Sequence, residues 1–350
     1  MDLDFEFLRE LTETSGVPGY EDRVRDLVRR ELRDATERVR TDAMGNVVGT
    51  VEGGADPDYE VVVAAHMDEI GFMVQHVTED GFLGIDALGG WDPRVLRAQR
   101  VRVHTDGGDL VGVIGSVPPH TLTEEQREKR DRVEDLHVDL GLPADAVEER
   151  VSVGDLVTMD QTTVEMGECV TGKALDDRIC LFAMLTAARR LEDPDVTVHF
   201  AATVQEEVGL RGARTLGVDL DPDLAIALDV TVANDVPGFD DGERVTELGD
   251  GVAIKLKDSS VITNPKVNRR LRSVAEDAGV THQLEVLPAG GTDTAGFQQA
   301  AGAKPVGALS VPTRYLHTPT ETAHREDVAA AVDLLTAFLE SETGDNDYTL

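Results

Sequence analysis

The chain has 350 residues, with 33 Lys and Arg against 68 Asp and Glu, which gives a formal net charge of −35 at pH 7. A surface this acidic cannot neutralise phosphates, so nucleic-acid binding is excluded. No stretch approaches the roughly 18 consecutive apolar residues that a membrane span needs, and the length allows one large domain or two ordinary ones with a sizeable core.

Only six of the basic residues are Lys (Lys129, Lys173, Lys255, Lys257, Lys266 and Lys304), while carboxylates are spread over the whole chain. That pattern suggests a halophilic protein. At about 1 M salt the Debye length falls to about 3 Å, which screens the repulsion that loosens such a chain in dilute buffer. Cys169 and Cys180 lie in no CxxC or CxxH pair, so no disulfide framework is expected and a reducing cytoplasm fits. The first 30 residues carry Asp2, Asp4, Glu6 and Glu10, with no basic start followed by an apolar run. A conventional secretion signal is therefore not expected.

Taken in order, residues 3 to 34 read as helix, break, helix, with the break at Ser15 to Glu21 and Val24, Leu27, Val28 and Leu32 at helical spacing. Gly45-Asn46 between RTDAM and VVGTV predicts a hairpin with a type I′ turn. Val61 to Ala65 reads as a buried strand that ends on His66, with Asp68 two places later on the same side. From Gly71 to about Thr163, short alternating runs separated by Gly-rich turns predict a small β-barrel or sandwich inserted into the main domain. Within it, Thr121 to Arg150 is polar and reads as partly helical or disordered. His76, His104, His120 and His137 are scattered there without ligand spacing, so no catalytic constellation is expected in the insert.

After the insert, strands alternate with helices, which predicts an α/β layer fold with a mostly parallel central sheet flanked by helices. The elements are a helix at Ile179 to Leu191, strands at Val196 to Val204, Leu224 to Leu228 and Val252 to Leu256, and a helix at Pro265 to Ala278. Strands at Gln283 to Leu287 and Val306 to Val311 and a closing helix at Arg325 to Leu339 follow. The last nine residues read as frayed.

In such sheets ligands bind beyond the carboxyl ends of the strands. His66, the pair Glu206-Glu207, Asp229 and His317 each stand at or just past such an end, and Asp176 and Asp177 open a helix. Each has a structural explanation alone, as a cap or a turn residue. Together, two His and several carboxylates from five segments are what a two-metal hydrolytic site requires, with ions about 3.5 to 4 Å apart. Nitrogen and oxygen donors without Cys suit Zn²⁺, Co²⁺ or Mn²⁺. Glu206 and Glu207 are adjacent, so that one can ligate while the other addresses a water as general base.

The motifs AAHMDEIGFMV, GKALDDRIC, TVQEEVGLRGA, ALDV, AGGTDTAGF and RYLHTPTE, in that order over nearly the whole chain, resemble the M42 family of metallo-aminopeptidases, whose archaeal members form tetrahedral TET assemblies. The acidic composition points to a haloarchaeal member. The resemblance implies a zinc-exopeptidase-like catalytic domain from residues 1–70 and 164–350, with residues 71–163 as a PDZ-like dimerisation domain. It implies two divalent metal ions per subunit, one bound by His66 and Asp229, the other by Glu207 and His317, with Asp176 bridging. Glu206 is then the general base and Asp68 the carboxylate that orients His66. It further implies a cis peptide bond between Asp176 and Asp177, short peptides with a free N-terminus as substrates, and a homo-oligomer of six dimers.

Three alternatives compete. A deacylase of N-acyl amino acids or small amides uses the same metal chemistry. An endoglucanase needs paired carboxyls across a sugar and aromatic platforms, whereas aromatic residues are 4% here with one Trp, Trp91. A scaffold with a structural metal would close on four ligands and leave no spare base. The composition predicts that thermal unfolding by circular dichroism moves to markedly higher temperature between about 0.05 M and about 3 M KCl, and an unchanged midpoint would rule out adaptation to salt.

Overall fold

The computed structural model describes residues 3–350. Val61 to Ala65 have no polar face, so they require cover on both sides. They obtain it at the middle of a mixed sheet, within the Asp56–His66 strand. Val196–Thr203 lies parallel on one side, Leu224–Val232 parallel on the other, and Val306–Arg314 parallel beyond that. His66 is in register with Thr203, and Asp229 with Ser310, so the carboxyl ends form one rim.

The parallel order holds at this centre and gives way to antiparallel pairing outward. Arg38–Thr41 and Val47–Val51 flank one side, and Glu321–His324, Cys169–Gly172 and Val164–Met166 the other. Val252–Lys257 branches off antiparallel to Val306–Arg314 and carries His282–Val286 parallel to itself. The Leu175–Arg190 helix is buried at every residue from Leu175 to Leu185, because it lies between the sheet and the helices Phe5–Glu13, Asp22–Ala35 and Arg325–Glu340. Arg211–Leu220 and Asp293–Gln298, two helices not anticipated from the sequence, cover the other face through Ala213, Leu216 and Phe297.

Among the described residues, Gly71–Val77, Leu83–Leu88, His137–Asp139, Gly108–Ile114, Gln99–Thr105 and Leu156–Met159 close a barrel in that order. Phe72, Val74, Ile85, Val101, Val103 and Val157 fill it. The polar stretch from 121 to 150 is partly helical, as expected, and it also supplies the barrel strand His137–Asp139 with Val138 buried.

Two local expectations are corrected. The hairpin at Gly45 is not a two-residue type I′ turn. Thr41 pairs with Val47, which leaves residues 42–46 in the loop, and only Gly45 of the Gly-Asn pair takes positive φ, at +105°. The Asp42 carboxylate closes this loop by accepting from the N–H groups of Met44, Gly45 and Asn46 at 2.9 to 3.0 Å. Asn46 is thereby released to accept the Val204 N–H at 3.0 Å, just before Glu206.

The C-terminal residues are docked, not frayed. The buried Glu342 carboxylate accepts from the N–H groups of Thr343 and Gly344, the Asn346 amide and the Tyr348 hydroxyl. Asn264, which caps the Pro265–Ala278 helix, also donates to the Tyr348 carbonyl at 2.7 Å. Tyr348→Ala should therefore cost about 2 to 4 kcal/mol in urea unfolding through a lost buried ring, whereas a frayed tail would leave the midpoint unmoved.

Candidate metal centre

His66 is the last residue of the central strand and is buried. Its Nδ1 lies 3.0 Å from the Asp68 carbonyl, which can only accept, so the proton sits on Nδ1 and Nε2 is directed inward. Nε2 is 3.2 Å from Asp176 Oδ1. His317 is arranged in the same way from the opposite side. Its Nδ1 donates to the Gly90 carbonyl at 2.8 Å, and its Nε2 stands 3.3 Å from Asp176 Oδ2 and 3.6 Å from Glu207 Oε1. The two oxygens of one carboxylate thus face two imidazoles.

Asp176 lies at the start of a helix whose first residues depart from helical geometry, and the Asp176–Asp177 peptide bond is cis. Asp177 accepts the His66 N–H at 3.1 Å through Oδ2, and its Oδ1 is buried without a partner. Asp229 lies within its strand, which runs on to Val232 and does not stop at Leu228 as expected, and it approaches His66 and Asp177 so that one ligand atom from each lies within 4.8 Å of the others. His66, Asp176 and Glu207 satisfy the same condition. These are two overlapping sets of nitrogen and oxygen donors, suited to divalent cations.

Glu206 and Glu207 follow the Val196–Thr203 strand in a turn, so period-2 alternation does not separate them. Asp68 does: its carboxylate oxygens accept the Glu206 N–H at 3.0 Å and the Glu207 N–H at 3.1 Å. The same carboxylate is 3.5 Å from His66 Nδ1, longer than its own carbonyl contact with that ring. Non-glycine residues with left-handed backbone cluster here, at Ala174 (φ +55°), Gln205 (φ +56°), Tyr315 (φ +62°) and His317 (φ +57°). Such conformations cost of order 1 kcal/mol each and persist where surrounding contacts impose them.

Sequence reasoning gave no role to Glu321, Gly90 and Glu69. Glu321 is buried and accepts two backbone donors, His317 N–H at 2.9 Å and Asp176 N–H at 3.0 Å. Its spacing of four from His317 was the available signal. Gly90 acts through its backbone and left no signal in its side chain. Glu69 pairs with Lys173 in a buried contact of 2.6 Å, and Arg178, wholly buried, donates to the carbonyls of Met67, Leu11, Thr14 and Gly16. Lys173 and Arg178 are thus internal ties of the loops around the site. Asp293, in the GGTD motif, accepts from the Thr203 hydroxyl and leaves Oδ1 unpartnered.

Burial dominates the electrostatics. It raises Glu207 to about 7, Asp293 to about 6 and Glu321 to about 8, and it lifts Glu206, Asp177 and Asp229 well above the usual carboxylate range. Asp176 is the exception. Burial opposes its ionisation, yet hydrogen bonds from His317 and His66 hold it below its ordinary value. Against the cost of their own burial, both imidazoles are raised by contact with Asp176, His317 to about 10. The site is most exposed on the His317 side, where 39% of that side chain is accessible against 11% for Asp176.

Fold and donor set together are those of a divalent-metal hydrolase. The profile of the M42 glutamyl aminopeptidase family matches residues 45–334. A lysyl aminopeptidase of Pyrococcus furiosus is 36% identical over 349 residues, 97% of each chain. A putative aminopeptidase of Acetivibrio thermocellus is 36% identical over 332 residues, 95% of this chain and 97% of its own. Among solved structures, an aminopeptidase from Desulfurococcus kamchatkensis has a TM-score of 0.92 at 39% identity, covering 96% of this chain and 94% of its own. The TET1 peptidase of Pyrococcus horikoshii, described as assembling into a tetrahedron or a large octahedral shell, has a TM-score of 0.87 at 34% identity over 97% and 99%. The chain belongs to the M42 peptidase family and is an aminopeptidase; membership implies the use of divalent metal.

A carboxyl raised above its unfolded value binds more protons when folded, so its contribution to stability is lost as pH rises through that window. Glu207, Asp293 and Glu321 act so between about pH 4.5 and 8, and His317, raised as well, loses its contribution above its unfolded value. His104 and His199, lowered by burial, act oppositely but are outnumbered. The metal-free protein should therefore melt at lower temperature near pH 8 than near pH 5.5, and added divalent metal should restore the loss while releasing protons in calorimetry. A metal-free midpoint that rises over this range would contradict the assignment.

Proposed function

We propose that the chain removes the N-terminal residue from short peptides with two divalent metal ions. His66 and Asp229 hold one, Glu207 and His317 the other, and Asp176 bridges them. The observation that carries this reading is the sharing of the Asp176 carboxylate, with Oδ1 toward His66 Nε2 and Oδ2 toward His317 Nε2 at 3.2 and 3.3 Å. A carboxylate placed between two imidazoles whose Nδ1 protons are committed to backbone carbonyls fits a bridging ligand. Asp177 also lies within reach of His66 and Asp229, but one of its oxygens is committed to the His66 N–H, so we read it as a brace.

Bound ions of this kind polarise a scissile carbonyl and lower the pKa of a shared water. Glu206 is the general base: it takes the proton of the attacking water and passes it to the leaving amine. Burial raises this carboxyl well above the usual carboxylate range, which makes it a stronger base than an exposed glutamate. Asp68 orients His66 and holds the Glu206-Glu207 turn, which keeps one carboxylate free while its neighbour ligates. The carboxylates around the site would receive a free α-amino group, which favours unblocked N-termini. Zn²⁺ is the first choice of ion, with Co²⁺ and Mn²⁺ compatible with the same donors.

In this reading residues 1–70 and 164–350 form the catalytic domain, and residues 71–163 mediate dimer contacts in a tetrahedral dodecamer, by analogy with the TET relatives. The composition suits a salt-rich cytoplasm. The test is a panel of aminoacyl-p-nitroanilides, their N-acetylated forms and carboxymethylcellulose in about 2 to 3 M KCl, with and without chelator. Chelator-sensitive cleavage confined to the unblocked amides is expected. Cleavage of the acetylated compounds would point to a deacylase, and release of reducing sugar to a glycosidase. Glu206→Gln should lower kcat by on the order of 10²- to 10⁴-fold with metal content unchanged; loss of metal instead would exchange the roles of Glu206 and Glu207.

A further inference from the structure

The β-barrel sends one loop back to the metal centre. After the Leu83–Leu88 strand, Gly89 and Gly90 cross beside Glu207 and His317 with little room for a side chain. Gly89 has φ +95°, and a Cβ there would stand 2.4 Å from Ile70 Cγ2. A Cβ on Gly90 would stand 3.2 Å from His317 Nδ1, the atom that donates to the Gly90 carbonyl at 2.8 Å. The next residue, Trp91, ties this loop to the barrel. Its ring stacks on Phe72 with centroids 5.1 Å apart, and its indole N–H donates to the Gly71 carbonyl at 3.2 Å. The barrel is itself braced on the main domain by Arg23, whose guanidinium donates to both oxygens of Asp109 at 3.0 and 3.1 Å.

The two histidines are therefore held by different parts of the molecule. His66 takes its orienting carbonyl from Asp68, two residues away on its own segment. His317 lies in a loop with left-handed backbone, outside any strand or helix, and its ring is partly exposed. Two contacts fix it: the Glu321 carboxylate on its backbone N–H, shared with the N–H of Asp176, and the Gly90 carbonyl on its ring.

We infer that the barrel is a working part of the metal centre, with Gly90 and Glu321 as positioning residues that aim His317 Nε2 at its ion. This rests on the two-ion reading above. It assigns the insert a role within its own subunit, in addition to any role in assembly, and makes the ion held by Glu207 and His317 depend on where the barrel sits.

The test is calorimetric titration of the full-length, chelator-stripped chain with Zn²⁺, and with Co²⁺ followed by its visible absorption, beside steady-state kinetics. Gly90 is outside the left-handed region, so Gly90→Ala keeps the backbone and displaces the ring by a few tenths of an ångström. It is expected to weaken one of the two equivalents by about 10- to 100-fold, alter the Co²⁺ spectrum and lower kcat more than it changes KM, with the metal-free melting temperature unchanged. Glu321→Gln, which keeps one acceptor and loses the other, should weaken the same equivalent, and Glu321→Asp should recover part of it. Gly115→Ala, on the barrel with open space around its Cβ position, is the control and should match the parent. Parent affinity for both equivalents in Gly90→Ala, or equal weakening of both, would overturn the inference. A parent chain that binds fewer than two ions would overturn the two-ion reading instead.

Discussion

Eight carboxylates, Asp68, Asp176, Asp177, Glu206, Glu207, Asp229, Asp293 and Glu321, are gathered with two imidazoles at the ends of the parallel strands, nearly all of them buried. Ionised groups taken from water at this density are costly unless each finds a compensating partner. The structure meets the constraint in three ways. Asp68 and Glu321 spend their oxygens on pairs of backbone N–H groups. Asp176 is balanced by the two histidines. Glu206, Glu207, Asp177, Asp229 and Asp293 have no such full complement, and burial shifts them, and Glu321 despite its two donors, toward the protonated form. Partly compensated acids around a shared carboxylate are what a site needs if cations are to displace protons there.

Precision at the rim comes from elements that carry no chemistry. The parallel register brings His66, Asp229 and the approach to Glu206 to one level. The buried helix Leu175–Arg190 brings Asp176 up from one face, and the Arg178 guanidinium, bonded to four carbonyls, fastens the helix to the end of the Phe5–Glu13 helix, to the loop after it and to Met67. Removing such a group would leave several buried acceptors unpaired, each costing about 1 to 3 kcal/mol. The site is thus built on backbone anchors more than on side-chain pairs, and anchors of that kind tolerate little displacement.

Strong local signals in the sequence translated directly into structure. Val61 to Ala65 could only be a covered strand, and the Asn264-Pro265 start and Gly279 stop delimit a helix that runs from Pro265 to Ala278. The residues singled out did come together: Asp176, from a helix start, faces His66 and His317, Glu207 lies beside His317, and Asp229, from within its strand, lies beside His66. What was hidden depends on long-range pairing. The Gly-Asn pair at 45–46 looked like a tight turn because the partner of the Asn46 side chain, the Val204 N–H, is far along the chain, while the nearby Asp42 carboxylate closes a longer loop. The C-terminal tail looked frayed because its anchor, the buried Glu342 carboxylate, reads locally as one more surface acid. Gly90 was invisible for a deeper reason, since a backbone carbonyl has no residue type.

The abundance of acid in this chain therefore has two physical meanings. Most of the 68 Asp and Glu are spread over the surface, where their repulsion decays over a Debye length and dissolved salt can relieve it. The carboxylates at the rim are shielded by protein, and salt in the bulk does little for them; only a proton or an ion bound in place can. Ionic strength and bound cation thus act on separate populations of the same residue types. A surface tuned for salt does not interfere with a centre tuned for cations, because burial, and not sequence chemistry, decides which of the two a given carboxylate answers to.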